Sequence, residues 1–507
     1  MSTCPLGPGE QSSQIVKEYD ARWPYQVFKS SHFTPPVFAI TATGEPLAPG
    51  LLFITPGNQS PTPSAKDVAP LIMTDTGQLV FNGPTSNTTN FQYALYKGID
   101  IIIFWSGISA AGANSGHGYG NITFLDASYT EVVTVCPQLG LVTPDNTKYP
   151  CEADFHEAYI TNRNTIVVSA YNTTPTDLTS VGGPKDGWIF DSLFFEIEPE
   201  SGDILFRWSA LEYIAINDTK QPLAAAGRDQ SQPFDCFHIN SVVNFGYEWL
   251  VNLRNTWSTY MLMAEGDVIW RIQGDTGGDF GPLPDDARFR WQHHAKSHSI
   301  TSTSISISWF NNYDGINPTT GLEIQLPIFP DRATPVSILK SLSDSSDPIY
   351  TAFEGSTQIL SNGNTLMGYG SVPVMKEYGP LSPNGSDIRF TARFGADNLV
   401  HSYRAFKHEW HATPTTSPSL VVEKTGPCGS GYVSWNGATE ATAWAVYEGP
   451  NEGMLGFVGK IGYKGFETKF GVAENCVQVV AVVEGKMGAR SNVACVKGRG
   501  NVAAGLL

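Results

Sequence analysis

The chain has 507 residues, 50 Gly, 34 Pro, 16% charged residues and a formal charge of −17. That length and 41% hydrophobic content suit roughly two to four units with large cores, and they exclude wholesale disorder. The Gly and Pro load excludes a helical bundle or coiled coil, and the acidity leaves no basic footprint for nucleic acid or an anionic membrane.

In chain order, residues 1–29 read as an N-terminal extension. Its start, MSTCPLGPGEQSSQ, has no basic segment followed by an apolar one, so no signal peptide is read there. The longest apolar run, around Ile101 to Trp105, is far too short to span a bilayer. Seven cysteines imply at least one unpaired thiol, and Cys136/Cys151 and Cys476/Cys495 have separations that suit disulfides. Sequons begin at Asn58, Asn87, Asn121, Asn172, Asn217 and Asn384. Together these point to a glycoprotein of the secretory route or extracellular space, with the cytoplasm as the alternative.

From about residue 30 to 412 the pattern is strand after strand, each bounded by Gly, Asn, Asp or Pro. One segment type recurs, often entered through a Gly-Asp turn: TGQLVF, YTEVVTV, SGDILFRW, EGDVIWRI, GLEIQLPI and SDIRFTARF. Measured at Leu79, Val132, Ile204, Val268, Ile324 and Ile388, these lie 53, 72, 64, 56 and 64 residues apart. A unit of roughly 60 residues with several short strands fits a four-stranded antiparallel blade, and six units predict a six-bladed β-propeller. After the Ser/Thr/Pro linker TPTTSPS, seven short strands over 417–500 predict a small immunoglobulin- or fibronectin-like β-sandwich. The expected fold class is all-β.

Three histidine segments open predicted inner strands: EADFHEAYIT with His156, DCFHINSV with His238 and Asn240, and RWQHHAKSH with His293 and His294. Strand alternation puts His238 and Asn240 on one face and splits His293 from His294. Arg254 follows one strand after His238. No zinc-ligand spacing, nucleophile elbow, P-loop or dinucleotide fingerprint occurs, so neither a metal nor a cofactor is expected. The Gly-rich stretch AGANSGHGYG reads as a turn before a strand, and Asp279, Asp285 and Asp286 read as solvated. Imidazoles with one permanent cation suit an anionic sulfate-like group or a developing phenolate, and the abundant aromatics suit a flat substrate.

At these residues the chain resembles the arylsulfotransferase-like propeller family in its fungal branch. The matching segments are FWSGISAAGANSGHGYGNITFLD, DFHEAYIT, GWIFDSLFFEIEPESGDILFRWSALEYI, DCFHINSV, VNLRNTW and GDVIWRIQGDTGGDF leading to RWQHHAKSH. The resemblance implies sulfuryl transfer between phenols without a nucleotide donor, through a transiently sulfated His293. It implies that His238 and Asn240 bind the sulfuryl oxygens, that Arg254 stabilises the transition state and that His156 is the acid/base. Gln292 and Trp291 would line the substrate site. His294 and Asn255 depart from the acidic residue and the histidine that many relatives carry there. A second reading on the same scaffold is a secondary-metabolite enzyme guiding the cycloaddition of a quinone methide with an alkene; a third is a non-catalytic binding protein. The expected partner is a small phenolic or aromatic molecule, and a homodimer is compatible with the sequence.

Overall fold

The computed structural model describes the chain except residues 1–3, 18–22, 60–64, 67, 111–115, 382, 425 and 497–507. Parts of the expected extension, the end of the expected C-terminal unit, Ser60 of the first sequon and the first half of the Gly-rich stretch AGANSGHGYG therefore lie outside the described residues.

The protein is all-β, built largely from four-stranded antiparallel sheets. The third sheet shows the pattern: Ala158–Ile160, Ile166–Thr176, Gly187–Ile197 and Ile204–Ser209 pair in chain order. The fourth runs from Ile239–Phe245 to Val268–Gln273 and the fifth from His293–Ile300 to Ser337–Leu342. In the sixth, Ala39–Ala42 adds a fifth strand outside Ile388–Arg393. The first sheet is completed from the far end of the sequence, where Ala405–His408 pairs with Leu51–Ile54. That pairing joins the start and end of the repetitive region.

Alternation explains how the sheets stack. On Ile99–Ser109, Ile101, Ile103 and Trp105 pack toward Ile166, Val168 and Ala170 of the next sheet. The intervening Ile102 and Phe104 pack back against Phe53 and Ile72 of the previous one. A continuous apolar run is what a strand buried on both faces requires. The same sharing of a core recurs between the third and fourth, fourth and fifth, and fifth and sixth sheets, and then between the sixth and first. Close approach needs glycine at one pair: a Cβ on Gly107 or Gly120, which face each other, would lie within 2.7 Å of the Trp105 indole.

Four of the six recurring segments form outermost strands, and SDIRFTARF is the fourth strand of its sheet, covered on the outside by Ala39–Ala42. GLEIQLPI lies further in: Thr320–Pro327 is the third strand of its sheet, and Ser337–Leu342 is the outermost. The long connection and the lack of a Gly-Asp turn before SILKSL shift the mark one strand inward.

Beyond residue 418, two further sheets enclose a core of Leu420, Val433, Trp435, Trp444, Val446, Phe470 and Val479. The extension joins them: Glu10–Gln11 pairs with Glu467–Val472, and Cys4 is bonded to Cys428. Cys136–Cys151 and Cys476–Cys495 also form, leaving Cys236 buried and free. Three disulfides suggest an oxidising, secretory environment. Asn87, Asn217 and Asn384 are exposed sequon positions. Among the described residues no helix is long and apolar enough to cross a membrane.

Candidate active site

The inner strands of the third, fourth and fifth sheets each begin at one of the expected histidines. His156 precedes Ala158–Ile160, His238 precedes Ile239–Phe245, and His293 is the first residue of its strand. Side chains 137 positions apart in sequence thereby meet. The His156 and His238 rings lie 4.7 Å apart at 86°, and Tyr403 bridges to His293, with ring centroids 5.6 Å from His156 and 6.5 Å from His293.

Each imidazole is anchored through Nδ1. His156 Nδ1 donates to Asp154 Oδ1 at 2.5 Å, and His238 Nδ1 donates to Asp235 Oδ2 at 2.5 Å. His293 Nδ1 donates to Asn312 Oδ1 at 2.7 Å. Asn312 is oriented for this because its Nδ2 donates to the carbonyls of Thr351 and Glu354. A carboxylate or amide oxygen only accepts, so the Nδ1 atoms carry protons, and on His238 and His293 each Nε2 keeps its lone pair. The Glu354 N–H meets that lone pair on His293 at 3.3 Å.

Burial sets the charge state. It pushes His238 down to about 4, and it pushes His293 well below the usual imidazole range, where the Arg254 charge pushes further. Both are neutral at pH 7. Burial raises Asp154 and Asp235, but the facing histidines more than offset it and hold both carboxylates low. Since His238 is neutral, it supports Asp235 with a donated N–H rather than a full ion pair.

Arg254 follows the strand Glu248–Leu253, with its guanidinium stacked 4.8 Å over Trp291. Its Nη1 donates to Asn255 Oδ1 and its Nη2 to Ala352 O, while its buried Nε has no partner. Burial lowers its pKa to about 10, still a cation at neutral pH. Trp291 in turn meets Trp257 edge-on at 5.2 Å.

Two residues expected to touch substrate are engaged within the protein. Asn240 and Gln292 are fully buried. Asn240 Nδ2 donates to Gln292 O, its Oδ1 accepts from Asn252, and Gln292 Nε2 donates to Asn252 Oδ1. Both amides tie inner strands together. Alternation fails because His238 stands before the strand at a φ of 60°, and the pairing register shifts between Ile239 and Ser241. His294, also at positive φ, lies against Thr357 and Phe406, away from the other three imidazoles.

One member was missed. His117, read as part of a Gly-rich turn, lies 5.5 Å from His238 ring to ring, with its Nε2 3.4 Å from Asp235 Oδ2. Flanking glycines hid it; the strand begins at Gly118 rather than at NITFLD. The ligating atoms of His117, Asp235 and His238 all lie within 4.8 Å of one another, a spacing that admits a metal ion. The residues fit one poorly. A ligating imidazole donates its second N–H outward, whereas His117 Nδ1 is buried without a partner, and the 2.5 Å contact of His238 with Asp235 is a hydrogen bond.

Beneath the imidazoles, Glu157 is wholly buried between Arg404, at 2.7 Å, and Lys296, at 3.2 Å. Arg404 also donates to the carbonyls of His156 and Asn240. Phe155, Tyr171, Phe190 and Tyr403 wall the cluster. His117, His156 and His293 are almost fully buried, so the approach from solvent is on the side of the partly exposed His238, Arg254 and Trp291. The large cavities lie elsewhere: one of about 500 Å³ beyond Asn312, beside Arg290 and Asp314, and one of about 540 Å³ at the other end of the inner strands, beside Lys296 and His298.

The arylsulfotransferase (ASST) family model matches residues 92–395, which hold all four imidazoles and Arg254. The chain belongs to the arylsulfotransferase family. Membership brings a sulfotransferase-type enzyme with aromatic substrates. None of the curated proteins matches the chain. Among solved structures it is similar to a protein of unknown function from Bacteroides caccae, with 12% identity over 71% of this chain and 99% of that one and a TM-score of 0.36. A single-residue mutant of the GH43 protein BlXynB from Bacillus licheniformis shows 8% identity over 79% and 89%, with a TM-score of 0.30. The GH32 β-fructofuranosidase of Bombyx mori shows 10% over 82% and 87%, with a TM-score of 0.26.

Proposed function

We propose that this arylsulfotransferase-family protein moves a sulfuryl group between phenols through His293, without a nucleotide donor or metal. The carrying observation is the anchored Nδ1–H of a neutral, buried His293, which leaves Nε2 as the nucleophile. Nε2 attacks the sulfur of an aryl sulfate, the S–O bond breaks, and a proton from His156, held against Asp154, converts the leaving phenolate to phenol. In the second half the acceptor phenol returns that proton as its oxygen attacks the sulfo-histidine. Arg254, with a free Nε and a permanent charge, faces the charge that develops on the sulfuryl oxygens. A neutral His238 presents a lone pair rather than a proton, which makes it a poor ligand for an anionic sulfuryl oxygen. Asn240 and Gln292 are positioning residues, and Trp291 holds Arg254.

In this reading the six sheets are the blades of a propeller over about 30–412, supported by the six cores shared in a closed ring, and residues 417–500 form an immunoglobulin-like sandwich. The protein travels the secretory route and carries glycans.

The aromatic walls favour one further reading, in which the site orients a quinone methide and an alkene and His293 only hydrogen-bonds. Intact-protein mass after incubation with an aryl sulfate separates the two. Sulfuryl transfer predicts an increment of about 80 Da that His293→Ala abolishes; the absence of any adduct alongside turnover of a phenolic partner with a polyene refutes it.

A further inference from the structure

Tyr403 lies beyond the span matched by the family model, and no sequence motif marks it. It is 3% exposed, and its buried hydroxyl makes no hydrogen bond of good geometry among the described residues, although the Arg404 guanidinium lies close by, 5.4 Å from the ring. The contrast with Tyr171, which also packs against His156 and His238, is sharp: the Tyr171 hydroxyl donates to Ile239 O at 2.5 Å. A phenylalanine would fill the Tyr403 space without burying an unsatisfied oxygen, so packing does not account for the hydroxyl. The ring packs near both the nucleophile and the acid/base, near-perpendicular to each imidazole, at 78° to His293 and 84° to His156. It also packs edge-on to Phe155 at 5.6 Å. Burial, opposed by the neighbouring Arg404 charge, keeps the phenol protonated, a donor at neutral pH.

We propose that Tyr403 is a further catalytic residue of the transfer site, its O–H donating to a sulfuryl oxygen while the donor S–O bond breaks and the S–Nε2 bond to His293 forms. This rests on the sulfuryl-transfer reading. The need is chemical. The sulfuryl group carries three oxygens, and neutral His238 and His293 offer lone pairs, not protons. The Glu354 N–H already faces His293 Nε2, so Arg254 Nε supplies one unpartnered donor and Tyr403 supplies another. No proton leaves Tyr403 in either half-reaction.

The test is single-turnover release of nitrophenolate from 4-nitrophenyl sulfate by wild type and Tyr403→Phe, with the His293 adduct followed by mass and each protein's Tm recorded. The expected result is an undiminished Tm, because an unpartnered hydroxyl is removed, and a rate lower by about 10²-fold, the usual loss for one oxyanion donor. A merely structural tyrosine would lower Tm and leave the rate of the folded fraction intact. Equal rates in the two proteins overturn the assignment and leave sulfuryl transfer standing. A wild type that releases no nitrophenolate and gains no adduct overturns both.

Discussion

Arg404→Met tests the buried charge cluster that holds the imidazoles in register. In the native protein Glu157 has no exposure, and Arg404 and Lys296 neutralise it across three sheets. The methionine leaves one cation, 3.2 Å away, against a carboxylate that water cannot reach, and strips the donor from His156 O and Asn240 O. Removing one partner of a buried pair costs about 3–5 kcal/mol. Urea unfolding followed by tryptophan fluorescence measures this for wild type, Arg404→Met, Glu157→Gln and the double variant. The double variant should cost less than the sum of the singles by about 2 kcal/mol, because the stranded carboxylate is gone. Costs that add to within about 0.5 kcal/mol would refute the cluster's role. The folded fraction of Arg404→Met should also lose transfer activity, since the backbone of both His156 and Asn240 is released.

Asp154→Asn keeps the size of the side chain but no longer supports a charged His156; transfer should fall by about 10²–10⁴-fold with the fold intact, read as single-turnover rate and Tm. Acid should destabilise the protein: burial pushes His238, His298 and His408 from 6.5 to about 4, so their contribution is complete above pH 6.5 and lost as pH falls toward 4. Each amounts to about 3 kcal/mol at its limit. His401, raised by Glu354, acts in the opposite sense and is outnumbered; a Tm that climbs between pH 7 and 4.5 would contradict this. Replacing Cys4 and Cys428 by Ser frees the N-terminal extension and should cost the C-terminal unit about 2–5 kcal/mol by thermal unfolding, leaving transfer unchanged.

The strand periodicity was legible because every sheet alternates and most turns carry Gly, Asp or Asn. It failed at SILKSL, where the outermost strand lacks its turn mark. The three histidines were legible because each opens an inner strand. His117 was not, since its glycines read as a turn, and neither was Tyr403, a lone aromatic without a motif. The place of Asn240 relative to His238 was not legible, because a positive φ at His238 and a register shift break the strand alternation. The bond between Cys4 and Cys428, 424 residues apart, has no local signal at all.

A crystal structure of the Asp154→Asn protein soaked with an aryl sulfate tests the central claim most directly. Sulfur within about 3–3.5 Å of His293 Nε2, with its oxygens facing Arg254 and Tyr403, is the predicted result. Ligand seated instead in the cavity beside Arg290, with the four imidazoles untouched, would contradict it.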